Sequence, residues 1–122
     1  MPHLTAQYTS NLRGLDIPAI LARINQTVTE SGLFSEADIK SRAVPLDAFK
    51  VGVSAQPRAF FHLVVAMSAL GDSVERQLAQ SLADALDDLV FGTPGVETQI
   101  CVEIIHVRSS TYVKQMARAA AA

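Results

Sequence analysis

The order in which hydrophobic patterns change along the chain limits its fold more than any other feature of the sequence. Strict alternation over residues 2–10 predicts a strand. Apolar residues spaced by three and four then predict a helix that is capped by Asp16, carries Pro18 in its first turn and ends at Gly32. The pattern continues with strands over 42–49 and 59–67, a helix over 72–92 and a strand over 99–106. This order makes two βαβ-like halves.

Residue types inside these segments predict their places in the sheet. Pro45 has no amide hydrogen to donate, so the strand over 42–49 is expected to be short or at a sheet edge. The strand over 59–67 is apolar on both faces and is expected to be central. Asp72 followed by Glu75 fits a capping box at the start of the second helix. Alternation in the last strand predicts three residues on its buried side: Ile100, Val102 and Ile104.

Two segments outside this pattern have weaker signals. Residues 35–39 predict one helical turn with Ser35 as its cap. Residues 107–122 are rich in alanine and carry Lys114 and Arg118, which predicts a weakly helical C-terminal extension. We expect this extension to be an oligomer contact or a partly frayed tail.

Composition excludes several classes of protein. The 122 residues are 49% hydrophobic with no linker between them, so we expect one globular domain over 1–122. A net charge of -2 and a pI near 5.8 give no positive field for nucleic acid. The longest apolar stretch, 59–70, is shorter than the roughly 20 residues that cross a membrane. Because Cys101 is the single cysteine and the amino end lacks a secretory pattern, we expect a cytoplasmic protein.

Two architectures fit the order of the elements. One is a ferredoxin-like sandwich, which would suit a non-catalytic module that binds a small ligand. The other is the α/β tautomerase fold, in which two βαβ-like halves share a four-stranded mixed sheet with two helices and trimers bury the sheet edges. The order of the elements is compatible with both.

Pro2 is the residue with the most distinctive chemistry. Removal of Met1 would leave a secondary amine at the amino end. A free α-amino group titrates at about 7.7 to 8.0, and an apolar pocket lowers that value. Such an amine would be a base near neutral pH, as general acid and base catalysis requires. With Met1 still attached, the same nitrogen is an amide and has no basic lone pair.

Short motifs in a fixed order extend from Pro2 to about residue 106. The chain resembles the 5-carboxymethyl-2-hydroxymuconate isomerases of the tautomerase superfamily in these motifs, which are Pro2-His3-Leu4, Ser10-Asn11-Leu12, Ile24-Asn25, Gly32-Leu33-Phe34, Ile39-Lys40-Ser41-Arg42 and Ala59-Phe60-Phe61-His62-Leu63. The resemblance implies a homotrimeric isomerase without metal or cofactor that acts in the breakdown of aromatic acids. It further implies that Pro2 takes a proton from the 2-hydroxyl of a carboxylated dienol or keto acid and returns it to a carbon.

A carboxylated substrate requires cationic side chains in its site. Lys40 and Arg42 lie where the resemblance places basic residues, and their spacing of two predicts that both point the same way along a strand. Lysine offers a point charge at position 40, where the family is expected to favour the planar fork of arginine. Asp72 stands where related isomerases can carry arginine, although it also suits a helix cap. Both departures leave open a tautomerase of different specificity.

The remaining polar residues are weaker candidates. His3 could orient the base, but alternation predicts that it faces away from Pro2 and has a structural role. His62 is expected in the core or an interface, His106 at an exposed strand end, and Cys101 in inert core. These residues lack the spacing of a zinc site. Aromatic residues near predicted strand ends are candidate pocket walls, namely Tyr8, Phe34, Phe49, Phe60 and Phe61.

Overall fold

The structure is a computed structural model, and it describes residues 1–90 and 93–121. The strands are β1 (His3–Thr9), β2 (Lys40–Leu46), β3 (Arg58–Met67) and β4 (Glu97–His106). Two α-helices, α1 (Ile17–Glu30) and α2 (Asp72–Leu89), connect β1 to β2 and β3 to β4. Single 3₁₀ turns lie at Glu36–Asp38 and Ser109–Thr111. The predicted order of elements is therefore confirmed.

The four strands form one mixed sheet in the order β2-β1-β3-β4. The pairs β1 with β2 and β3 with β4 are parallel, whereas β1 and β3 are antiparallel at the centre. Each parallel pair is a direct βαβ unit, because no strand lies between its two members. A ferredoxin-like sandwich splits these units, so that architecture is excluded.

The two halves begin with the same backbone hydrogen bond. The carbonyl of Pro2, just before β1, accepts a hydrogen bond of 3.2 Å from the amide of Lys40, the first residue of β2. The carbonyl of Pro57, just before β3, accepts one of 3.3 Å from the amide of Glu97, the first residue of β4. In both halves, therefore, the parallel strand pair begins with the same hydrogen bond to the carbonyl of a proline.

The core lies between the helices and one face of the sheet. Alternate residues of the central strands are fully buried there, including Leu4 and Ala6 of β1 and Phe61 of β3. The helices contribute the stripes predicted from their periodicity, namely Ile20, Ile24 and Val28 from α1 and Leu78, Leu82 and Leu86 from α2. Asp16 caps α1 by accepting a hydrogen bond of 3.1 Å from the amide of Ala19, as predicted.

The other sheet face, which we call the open face, has no helix over it within residues 1–90 and 93–121. Its β3 residues are only half-buried and include Phe60, His62 and Val64. Cys101 is paired with His62 on this face and is exposed, so its prediction as inert core is wrong. Ile100, Val102 and Ile104 alternate with Cys101 and pack against the core, as predicted. The error arose because apolar neighbours along an edge strand do not bury both faces.

The start of α2 differs from the predicted capping box. Gly71 is the N-cap with a φ of 103°, and Asp72 is the first helical residue, exposed and without a cap hydrogen bond. Glu75 instead reaches back to accept from the amides of Leu70 and Gly71 at 2.8 and 3.0 Å. The predicted box is replaced by the Glu75 bonds alone, because the N-cap is a glycine, which adopts positive φ without strain and has no side chain to cap the helix. The predicted helix end at Gly92 lies outside the described residues.

Other boundaries confirm the predictions in part. The turn at Glu36–Asp38 follows Ser35, although the Ser35 side chain makes no cap hydrogen bond. Strand β2 is at a sheet edge, as expected from Pro45, but it runs from Lys40 to Leu46 and so begins earlier than predicted. Strand β3 is central, as predicted.

The segment after β4 contains only the 3₁₀ turn in its described part, so the weak helix predicted for 107–122 is wrong over 107–121. None of the helices in the ranges 1–90 and 93–121 is both long enough and apolar enough to span a membrane.

Candidate active site

The amino end of the chain is fixed at one end of the sheet. Pro2 is fully buried on the helix-covered face, in line with Leu4 and Ala6, as alternation predicts. Its carbonyl bond to the Lys40 amide fixes it against the start of β2. Burial, followed by the positive charge of Lys40, lowers the pKa of the Met1 α-amine. The amino end is therefore a place where a cationic amine is disfavoured.

Lys40 and Arg42 lie beside this amino end on β2. The register pairs Lys40 with His3 and Arg42 with Thr5, so both belong to the open face, as their spacing predicts. The Lys40 ammonium donates to the carbonyl of Asp38. The sheet thus places Lys40 at the same end of the strand pair as Pro2, with Arg42 two residues further along β2. Both cations lie on the open face, whereas the Pro2 ring lies on the helix-covered face.

His3 connects Arg42 to the end of the chain. The Arg42 Nη2 lies 2.7 Å from His3 Nδ1, and His3 Nε2 lies 2.9 Å from the hydroxyl of Tyr112. A guanidinium can only donate, so Nδ1 accepts and Nε2 carries the hydrogen. Burial lowers the pKa of His3 first, and the charges of Arg42 and Lys40 lower it further. His3 is held in one neutral tautomer, which agrees with its predicted structural role.

A second contact joins the C-terminal segment to the same end of the sheet. The Lys114 ammonium donates to Asp38 Oδ1 at 2.7 Å. That hydrogen bond and the charge of Lys114 lower the pKa of Asp38. The same hydrogen bond and the charge of Asp38 raise the pKa of Lys114. Lys40, Arg42 and Lys114 supply three cations against one carboxylate here, a balance that suits an anionic ligand.

Sequence reasoning missed Tyr112, Lys114 and Asp38. Tyr112 is 109 positions from His3 and Lys114 is 76 from Asp38, so neither contact has a periodic signal in the sequence. The only signal available was the presence of polar side chains in an alanine-rich tail. Such a pattern does not indicate where a segment docks.

The other histidines lie in separate contacts. His62 Nε2 is 3.0 Å from Glu103 on the open face. His106 Nε2 is 2.6 Å from Glu75 at the start of α2, a bond that lowers the pKa of Glu75, helped by the amide of Leu70. Within the described ranges, no three His, Cys, Asp or Glu side chains converge as metal ligands would.

Three of the predicted aromatic walls, Tyr8, Phe49 and Phe61, lie away from Pro2. Tyr8 stacks on Phe61 with ring centroids 6.0 Å apart, at the opposite end of β1 from Pro2. Phe49 lines a groove of about 200 Å³ with Lys50 and Arg58. Larger grooves of about 390 and 280 Å³ lie between the two helices and between α2 and β4. These three grooves lie away from the cationic cluster around Pro2.

The sheet order and the two crossover helices define the tautomerase fold. A solved 5-carboxymethyl-2-hydroxymuconate isomerase from Deinococcus radiodurans R1 aligns with a TM-score of 0.84 at 26% identity, over 93% of this chain and 88% of that one. A structure described as a fused 4-OT wild type symmetric trimer aligns with a TM-score of 0.70 at 15% identity, over 93% of each chain. The second likeness supports the fold alone.

The sequence model of the 5-carboxymethyl-2-hydroxymuconate isomerase family matches residues 2–117, and the chain belongs to this family. It is an enzyme of the isomerase class. A curated relative, the 5-carboxymethyl-2-hydroxymuconate Delta-isomerase of Escherichia coli, is 29% identical over 91 residues, which span 74% of this chain and 70% of the relative.

Proposed function

We propose that Pro2, once Met1 is removed, is the acid and base with which this isomerase ketonises a carboxylated dienol such as 5-carboxymethyl-2-hydroxymuconate. The observation that carries the proposal is the position of the amino end beside Lys40, whose amide bonds to the Pro2 carbonyl and whose charge lowers the pKa of the Met1 amine. The family match, which begins at Pro2, supports it. The relatives' names support the choice of substrate and a role in the breakdown of aromatic acids.

Removal of Met1 changes the chemistry of the Pro2 nitrogen. In the full sequence that nitrogen is an amide; in the shortened chain it is a secondary amine. The Met1 amine, one residue away, has a lowered pKa because it is partly buried beside Lys40. The Pro2 amine would be subject to the same causes, which lower its pKa and favour the neutral form that accepts a proton.

The proposed reaction is a proton transfer in two steps. The neutral nitrogen accepts the proton of the 2-hydroxyl group, and the electron pair of the broken O–H bond becomes part of the new C=O bond. The double bonds shift along the conjugated chain, and a carbon further along takes the proton back from the Pro2 ammonium. The product is an isomer of the substrate, and Pro2 ends the cycle neutral.

Lys40 and Arg42 bind a substrate carboxylate and stabilise the negative dienolate. The Arg42 guanidinium is fixed by its bond to His3, so its remaining N–H groups are preorganised to bind the substrate. Lys40 provides a single charge with less directional demand than an arginine. That difference favours a second candidate, a tautomerase of the same mechanism with its best activity on a smaller enol.

We propose a homotrimer whose subunits meet through the open face and the sheet edges. Val44 and Ile105 of the open face are 42% and 46% exposed in one chain, and Phe60 is only half-buried. A sheet face that exposes large apolar side chains among its polar ones and has no helix layer in the described residues is a candidate subunit contact. The relative solved as a symmetric trimer supports a threefold arrangement.

We place the enzyme in the cytoplasm, where an exposed thiol such as Cys101 stays reduced.

The test compares a chain that starts at Pro2 with one that retains Met1 and with Pro2→Ala. Ultraviolet absorbance follows ketonisation of 5-carboxymethyl-2-hydroxymuconate, 2-hydroxymuconate and phenylenolpyruvate. We expect turnover only from the chain that starts at Pro2, and a loss of at least about a hundredfold in Pro2→Ala. Equal rates for Pro2→Ala and the parent, with both folded by circular dichroism, would remove Pro2 as the base. A preference for phenylenolpyruvate would select the second candidate.

A further inference from the structure

The C-terminal segment brings two polar side chains to the end of the sheet where Pro2 lies. Tyr112 contacts His3, and Lys114 contacts Asp38. The pKa of the Met1 amine responds to the charges of Asp38 and Lys114 as well as to Lys40. Lys114 is therefore within electrostatic reach of the proposed base, although it is separated from it by most of the chain.

We propose that Tyr112 and Lys114 form a second carboxylate-binding site that selects substrates with an acidic group at the end opposite the reacting 2-hydroxy acid. The proposal rests on the proposed function for its substrate class. In the free protein the Asp38 carboxylate occupies the Lys114 part of this site.

The hydrogen-bond directions leave the Tyr112 hydroxyl proton available. Arg42 donates to His3 Nδ1, so His3 Nε2–H donates to the Tyr112 oxygen. The Tyr112 hydroxyl therefore acts as an acceptor in this bond, and its own proton has no acceptor within residues 1–90 and 93–121. A hydroxyl donor near an ammonium group is a suitable pair for one carboxylate.

The Asp38–Lys114 pair shows which group the site accepts. The two side chains are 36% and 40% exposed, so solvent and a ligand reach them. Exposed ion pairs contribute little to stability, so Lys114 exchanges one carboxylate for another at small cost. Lys40 is bonded to the Asp38 carbonyl and Arg42 to His3, but both keep further N–H donors for the carboxylate next to the reacting hydroxyl. The two ends of a dicarboxylate thus have separate cations.

The first experiment measures binding without reaction. Muconate and sorbate share a six-carbon diene, and only muconate has a second carboxylate; neither has the 2-hydroxyl group. Calorimetry on the chain that starts at Pro2 should show that Lys114→Gln weakens muconate binding about tenfold and Tyr112→Phe about threefold, with sorbate changed less than twofold. Arg118→Gln, on the same segment, is the matched control and should leave both affinities unchanged.

The second experiment separates this proposal from the function on which it rests. With 2-hydroxymuconate, Lys114→Gln should raise KM about tenfold at nearly constant kcat, whereas phenylenolpyruvate should keep both values. Equal effects of Lys114→Gln on muconate and sorbate, or none on either, would overturn the second site. Activity in Pro2→Ala, together with a selective loss of muconate binding in Lys114→Gln, would overturn the catalytic proposal and leave the second site standing.

Discussion

Phe61 and Phe60 are neighbours on β3 that face opposite sides of the sheet, and their replacement by alanine should have opposite consequences. Phe61 is fully buried against the helices and stacks on Tyr8. Truncating a buried phenylalanine costs about 3–5 kcal/mol, since the transfer energy of the ring is lost and a cavity remains. A domain of this size has about 6–18 kcal/mol of stability in total, so Phe61→Ala should lose a large share of it.

Phe60→Ala is the matched control because it removes the same ring from the open face of the same strand. That ring is already partly accessible in a single chain, so the loss of chain stability should be below about 2 kcal/mol. Its larger effect should be on assembly, since the open face is the proposed subunit contact. Urea unfolding followed by circular dichroism measures stability, and light scattering during size-exclusion chromatography measures mass. A Phe61→Ala chain as stable as the parent would refute the assignment of the core face.

Two further predictions concern pH. The folded-state pKa of Glu75 is lowered, so its stabilising contribution is complete above about pH 4.5 and is lost as pH falls through the folded value. Glu75→Gln should therefore be less stable than the parent near neutral pH. Urea unfolding between pH 3 and 7 should show that the difference in free energy of unfolding becomes smaller in acid. A difference that stays constant over this range contradicts the prediction. The folded-state pKa of His3 is also lowered, so its contribution is complete above about pH 6.5 and declines as pH falls below that value. His3→Gln should flatten the stability profile below about pH 6.5, and an unchanged slope contradicts a pKa lowered first by burial and then by Arg42.

Much of the fold follows from short-range pattern in the sequence. Helix α1 has a cap, a proline in its first turn and a stripe that ends near a glycine, and each signal is local. Strand β3 is apolar on both faces and lies at the centre of the sheet. The start of β2 was harder to predict, because Lys40 belongs to the strand through its pairing with His3 and not through its own sequence.

The candidate site was predictable only where it lies on the regular strands. Lys40 lies beside Pro2, and Arg42 beside Thr5, because β1 and β2 are parallel neighbours, an arrangement that a βαβ pattern implies. Tyr112 and Lys114 were not predictable because the alanine-rich tail has no apolar stripe to bury as a helix. Two side-chain contacts with distant residues fix the segment, and local helix propensity does not decide its conformation.

The proline hydrogen bond that begins each half has a consequence for protein engineering. Pro57 precedes β3 as Pro2 precedes β1, and each carbonyl bonds to the first amide of the neighbouring parallel strand. Under the proposed mechanism, the backbone geometry does not distinguish these prolines; the position of the chain end does. A circular permutant opened before Pro57 would move the free imino nitrogen to the other half, where Arg58 and Glu97 replace His3 and Lys40. The same scaffold would then present its amine beside an acid in place of a base.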